Sequence, residues 1–215
     1  MNKIEKRELK DELKYEGTVV LTYRIEYPEI VSSDYKYGKD VFNNYNKDKA
    51  LTYENYVKNQ LYRNAIELYK YNSENGYPIM VYEIVTEYEV TYNEDAILSL
   101  YFDQYEFSGG AHGNTIRTSQ TWDLASCIIL PLYYFYPNNP YFILEILKSI
   151  IEQIRIEIQE GVNQYFDDYC GLVIESFNPE SYYLTKDSIA IYFQQYDIAP
   201  YSSGIPVFNI PYVSI

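Results

Sequence analysis

Residues 108–114, SGGAHGN, hold three of the chain's nine glycines and its only histidine, His112. The stretch reads either as a reactive centre or as a bend, and its flanks favour the bend. Upstream, Tyr82, Ile84, Tyr88, Val90 and Tyr92 alternate with Glu83, Glu87, Glu89 and Thr91. That period of two predicts a strand with one wet face, closed by the turn residues Asn93, Glu94 and Asp95. A return strand follows over about 97–107, SGGAHGN turns the chain, and 115–123 runs back as a third strand. Three neighbouring strands on short links predict an antiparallel meander. In such a bend Gly109, Gly110 and Gly113 supply positive backbone dihedrals, and the imidazole bonds to its own loop.

Working outward, Val19, Leu21, Tyr23, Ile25 and Tyr27 alternate with polar neighbours, predicting a strand over 18–27 ended by Pro28. The polar, glycine-punctuated run 32–49 reads as a loop. Asp48 then caps a helix whose Tyr53, Val57, Leu61, Ala65 and Leu68 share a face, stopping before NSENGYP at 72–78. A second helix starts at Asn139-Pro140, carries the stripe Ile143, Ile146, Leu147, Ile150, Ile151, Ile154 and Ile158, and stops at Gly161. Ile189, Ile191 and Phe193 alternate as a last strand. After it, QQYDIAPYSSGIPVFNIPY, 194–212, is a fixed, irregular run set by its prolines and glycine. The expected class is α+β: an antiparallel sheet with two main amphipathic helices packed on it.

Composition bounds the function. A chain of 215 residues with 47% hydrophobic residues folds as a globular protein without staples. A net charge of -14 repels nucleic acid and anionic membrane surfaces and attracts a basic partner. The 29 tyrosines suit half-buried strands and also interfaces for proteins or sugars. No segment runs long and apolar enough to insert in a membrane, and the charged start lacks the apolar core of a secretory signal. A cytoplasmic location is the expectation from the chain as given.

Catalytic and metal signatures are weak. His112 could serve as a general base, but G-x-S-x-G, H-E-x-x-H and a second histidine are missing. Asp167-Asp168 could be the paired acids of a glycosidase, yet a chain with 31 acids produces such pairs by chance. Cys127 and Cys170 form no C-x-x-C and read as ordinary thiols. No metal, no cofactor and no catalytic residue is expected. Tyr196, Pro200, Tyr201, Gly204 and Pro206 either present rigid rings to a partner or strap the sheet shut.

Two segments carry a family resemblance. YEFSGGAHGNTIRTSQTWDLAS, followed by ILPLYYFY and a helix, and then YYLTKDSIAIYFQQYDIAPYSSGIPVFNIPY, resemble the bacterial domain of unknown function found in the extracellular part of lysozyme-sensing anti-sigma factors and in some peptidoglycan deacetylases. The first half, with YRIEYPEI at 23–30, is similar to the companion domain that commonly precedes it. The expected division is a companion region over 1–95 and a signature domain over 96–215, folded as one unit. The resemblance implies an α+β fold, no chemistry of its own, a surface location if upstream residues exist, and a partner such as lysozyme or peptidoglycan fragments. It places recognition on loops holding Ser108, Gly109, Gly110, His112, Gly113, Asn114, Tyr196, Pro200, Tyr201, Gly204 and Pro206. Ser126-Cys127 stands where the family usually turns on a glycine.

Overall fold

The computed structural model describes residues 1–162 and 164–212. Its contacts gather into two units, one of 1–88, 102–116 and 124–127, the other, within the described residues, of 89–101, 117–123, 128–162 and 164–212. Neither is continuous in sequence, because three central strands contribute a segment to each. A six-stranded sheet has the order β1 (Lys3–Tyr15), β2 (Thr18–Ser32), β3 (Tyr82–Glu94), β4 (Ile97–Phe107), β5 (Asn114–Asp123) and β6 (Ile128–Ile129). A three-stranded sheet holds β7 (Tyr182–Leu184), β8 (Ser188–Tyr192) and β9 (Val207–Pro211). The α+β class holds, and β3, β4 and β5 follow one another as expected.

The first unit differs from expectation in three places. β1 is a strand where none was expected, because its sequence is charged on both faces. The Glu16-Gly17 turn, with φ of 49° and 82°, folds it back on β2 in antiparallel register; positive φ at both central residues matches the twist of a hairpin. Next, β2 and β3 pair in parallel, from Leu21 opposite Tyr82 to Ile25 opposite Thr86, so the sheet is mixed. A helical crossover joins them, which is what parallel neighbours need. β2 also runs through Pro28 to Ser32, since Pro28 lies beyond the register of β3 and its missing N–H costs no bond there.

The third difference is the helix. It begins with α1 (Lys36–Tyr56), passes a π-helical turn (Val57–Leu61) and ends in α2 (Tyr62–Asn75). Asp48 therefore sits inside the helix, not at its cap, and the expected loop over 32–49 is mostly helical. Gly38, Phe42, Asn46 and Ala50 form the buried stripe. Glycine and asparagine at core positions gave that stretch the composition of a loop. A Cβ on Gly38 would overlap the backbone of Leu124, and Asn46 satisfies its buried amide on the Phe42 carbonyl at 3.0 Å. Asn43 meets both the N–H and the C=O of Ile30, at 2.8 and 2.9 Å. NSEN belongs to α2 because Gly76, at φ 69°, is the cap, and buried Asn72 bonds to the carbonyl of Pro78 at 3.1 Å. Val57, Leu61 and Ala65 then pack on Val20, Leu21, Tyr23, Ile25 and Ile84.

In the second unit α3 (Phe142–Glu160) starts later than Asn139, whose side chain nevertheless accepts the N–H of Tyr141 at 3.0 Å and donates to Glu145 at 2.7 Å. Gly161 stops it at φ 68°. Ile146, Ile150 and Ile154 are buried against β7, β8 and β9, whereas Ile143 and Ile158 at the ends of the stripe are exposed. A short α4 (Tyr169–Ser176) contributes Val173 to the same core. β8 is buried at all five residues. The Ser99 hydroxyl, fully buried, contacts Thr121 Oγ1 at 2.8 Å and accepts the backbone N–H of Leu184 at 2.9 Å. Ser99→Ala strands that N–H, so a loss of about 1–3 kcal/mol is expected. The melting temperature should fall by about 2–4 °C per kcal/mol for a chain of this size; an unchanged melt would contradict the account.

Candidate functional site

The bend at 108–114 lies in the first unit. Gly109 and Gly110 have φ of 97° and 96°, a region that L side chains avoid. A Cβ on Gly109 would also press on Leu68 at 3.1 Å, so the bend rests on α2. Gly113 is different, and the expectation of a positive dihedral is corrected at this residue. Its φ is not positive, and a Cβ there would overlap the ring of Tyr105. Its smallness lets that ring pass. His112 is exposed, with Nδ1 2.9 Å from the Gly113 carbonyl oxygen. A carbonyl only accepts, so Nδ1 carries the proton and donates. Ser108 and Asn114 are exposed at the two ends.

Beneath this bend lies a group of polar side chains unforeseen from the sequence. Burial pushes the Glu106 carboxyl up from its ordinary value, partly offset by the Ser108 hydroxyl. The Tyr53 hydroxyl is buried with no hydrogen-bond partner among the described residues, Gln104 approaching without closing a bond. Burial, reinforced by Glu106, raises the pKa values of Tyr53 and Tyr82. The alternation of β4 places Gln104 and Glu106 on one face, a signal that alone does not separate a wet face from a half-buried one.

The other expected residues belong to the second unit. Tyr196 takes a φ of 69° and is 51% exposed. Its ring lies 5.8 Å from that of Tyr201. Pro200 leads into a single 3-10 turn over Tyr201–Ser203, and Gly204, at φ 68° and ψ -139°, leads out. Pro206 is buried, and its carbonyl accepts the N–H of Phe193 at 3.0 Å. Ile198 and Ala199 are buried between the two rings in sequence. The run is thus both a strap and a display: its apolar residues enter the core while Tyr196 and Tyr201 stay at the surface. The Asp197 carboxyl, raised by burial, accepts the Gln194 N–H at 2.8 Å and closes the turn.

Gln194 also bonds both backbone groups of Arg117, at 2.9 and 2.7 Å, in imitation of a strand. The Arg117 guanidinium sits 3.8 Å from the centroid of the Tyr101 ring, and Tyr101, Tyr183 and Tyr192 follow in ring contact. Tyr183 and Tyr192 are buried, so this stack holds the strap's base. More open are Tyr133, Tyr134 and Tyr141, the last 70% exposed. The run YYFYPNNPY, 133–141, was a readable signal for them, since prolines and asparagines keep rings out of a core.

Among the described residues no group of acids, cysteines and histidine could hold a metal, and no helix is long and apolar enough to cross a membrane. Cys127 and Cys170 are free thiols. Cys127 adopts a φ of 62°, so the corner keeps a glycine-like backbone without a glycine. Asp167 and Asp168 form the turn ahead of α4.

With this geometry, residues 15–115 match the family model "Deacetylase PdaC" and residues 138–213 match "Protein of unknown function (DUF3298)". The SGGAHGN bend falls in the first match. Among solved structures, a DUF3298 family member from Bacteroides fragilis aligns with a TM-score of 0.70 at 22% identity, covering 98% of this chain and 90% of the other. A DUF3298 family protein from Pseudomonas aeruginosa aligns with a TM-score of 0.63 at 16% identity, covering 98% and 92%. At these identities the likeness is one of fold. No curated protein matches the chain in sequence.

Glu106 yields a pH test. Its raised pKa means that the folded state holds a proton more tightly than the unfolded chain, so stability falls as pH rises through the gap between the ordinary and raised values. Glu106→Gln should melt higher than the parent at neutral pH. The difference should vanish on acidification below the ordinary carboxylate range, and a gap that persists there would refute the burial account.

Proposed function

We propose that this chain, a PdaC-type segment followed by a DUF3298 segment, is a non-enzymatic binding module whose ligand is a basic protein of the lysozyme kind. The observation that carries the reading is the Tyr196–Tyr201 pair, held half-exposed by a strap whose Ile198 and Ala199 are buried. Rings fixed before binding lose little entropy on contact. The charge of -14 favours a basic partner at long range, and the family resemblance carried by the terminal signature supports the same class. His112, exposed and bonded through Nδ1 to the adjacent carbonyl, serves the turn in this reading, and catalysis by it is the competing one. Cell-wall glycan is the competing ligand, since tyrosine faces also stack on sugars.

Calorimetry with lysozyme and, separately, with peptidoglycan fragments tests this. Binding to lysozyme should weaken as salt rises, and the double variant Tyr196→Ala/Tyr201→Ala should lose about tenfold or more in affinity while melting as the parent does. Heat with glycan alone would transfer the site to sugars, and silence with both would sink the proposal. His112→Ala should leave binding intact; if it abolished a measurable hydrolysis of cell-wall material without unfolding the chain, the module would be an enzyme.

A further inference from the structure

β1 is the end strand of the six-stranded sheet, paired among the described residues only with β2. Its outer edge therefore presents the backbone donors and acceptors of alternate residues along the 13-residue strand, although the Glu12 N–H already meets the Asp11 side chain at 2.8 Å and would have to exchange it. Long edges of this kind are normally guarded by charged side chains, proline, bulges or brevity, because like charges keep a second edge away. On β1 the charges are matched. KIEKRELKDELKY carries five basic and four acidic residues in a chain whose net charge is -14, so this edge is one place where two copies approach without strong repulsion.

We infer that a second copy of this chain pairs with it through β1, antiparallel and two-fold symmetric about Leu9. Symmetry restricts the registers. A two-fold axis normal to the sheet keeps residues of equal parity opposite one another, because the side-chain period is two. Centring on Leu9 sets Lys6 opposite Glu12, Arg7 opposite Asp11, Glu8 opposite Lys10 and Leu9 opposite its own copy. Each ion pair occurs twice, and no like charges face each other. Shifting the centre to Glu8 opposes Lys6 to Lys10 and Glu5 to Asp11. Shifting it to Lys10 opposes Lys6 to Lys14 and Glu8 to Glu12. Centring on Arg7 or Asp11 puts that charge against itself. Like charges directly opposite destabilise a ladder, and opposite charges support it.

The structure agrees with this register. The pairing of β1 with β2 shifts only between Lys3 and Ile4 and between Leu13 and Lys14, so the stretch that makes every ion pair is regular. The charged residues from Lys6 to Glu12 are all exposed; Lys6 and Arg7 already meet Glu26 and Glu29 of β2, and Lys10 meets Glu8, so the contacts across the axis share these charges with their partners in the same chain. Leu9 packs with Leu13 and Tyr15 on the apolar cluster of the first unit, so pairing Leu9 with its copy extends that apolar face.

Sedimentation equilibrium of the full chain over a range of concentrations reads the state directly. A species of twice the 25.5 kDa chain mass is expected, and a monomer throughout overturns the inference. Glu8→Lys sets the new cation against Lys10 of the other copy, twice per dimer, and should weaken the dimer about tenfold, whereas the swap Glu8→Lys/Lys10→Glu should restore it. Glu12→Lys, at a position with no ion pair among the described residues, serves as a second breaker should Glu8→Lys lower the melting temperature. A dimer indifferent to both breakers overturns the proposed edge. With both native cysteines replaced by serine, Leu9→Cys should cross-link to its copy on mild oxidation and Leu13→Cys should not; the reverse pattern refutes the register.

Discussion

A buried backbone N–H must be answered, and at Leu184 the answer is the hydroxyl of Ser99. The two residues are 85 positions apart. The same oxygen meets Thr121, so β4, β5 and β7 of the second unit share one buried polar point. Around it the apolar core closes: Tyr182 donates to the Leu130 carbonyl at 2.5 Å, and β8 is buried throughout. The low polarity of that core is what makes the hydroxyl necessary, since a donor left unmatched there costs far more than one facing water. The helix α3 can then lay Ile146, Ile150 and Ile154 on a closed sheet rather than on exposed amides.

The first unit solves a different problem, that of a highly charged sheet. Glu26 is 6% exposed yet lies between Lys6 and Arg24, and Arg24 also reaches Glu87 at 2.7 Å. A carboxylate that deep is tolerable only because two cations face it. On the other face the helix comes close enough for Gly38 to meet the backbone of Leu124 and for the bend at Gly109 to rest on Leu68. Glycine acts in two ways in this unit: at Gly109 and Gly110 by backbone freedom, at Gly38 and Gly113 by absence of a side chain.

These arrangements bear on the proposed function through rigidity. Tyr196 and Tyr201 are surface rings on a run anchored in the core by Ile198, Ala199 and Phe208, so their positions are inherited from the sheet beneath. The Arg117 stack over Tyr101 and the Gln194 bonds hold the start of that run. The aligned solved structures share the architecture at low identity.

Alternation determined β3, whose period of two over a wet face leaves no other assignment; β4 and β5 followed from the turn residues at 93–95 and the bend at 108–114, and the isoleucine stripe and Gly161 marked α3. The terminal run was legible as fixed and aromatic, but its last part, expected to be irregular, forms β9 paired with β8. β1 was not legible, since a strand that is charged on both faces takes its conformation from its partner and shows no period of two. The first turns of α1 escaped for the opposite reason: Gly38 and Asn46 are core residues whose value lies in what approaches them. The parallel pairing of β2 with β3 depends on a crossover helix whose first turns are hidden by the loop-like composition of 32–49. Only tertiary structure could bury Pro206, seat Ser99 opposite Leu184 and stack Arg117 on Tyr101, because each depends on segments far apart in sequence that meet only when the second unit closes.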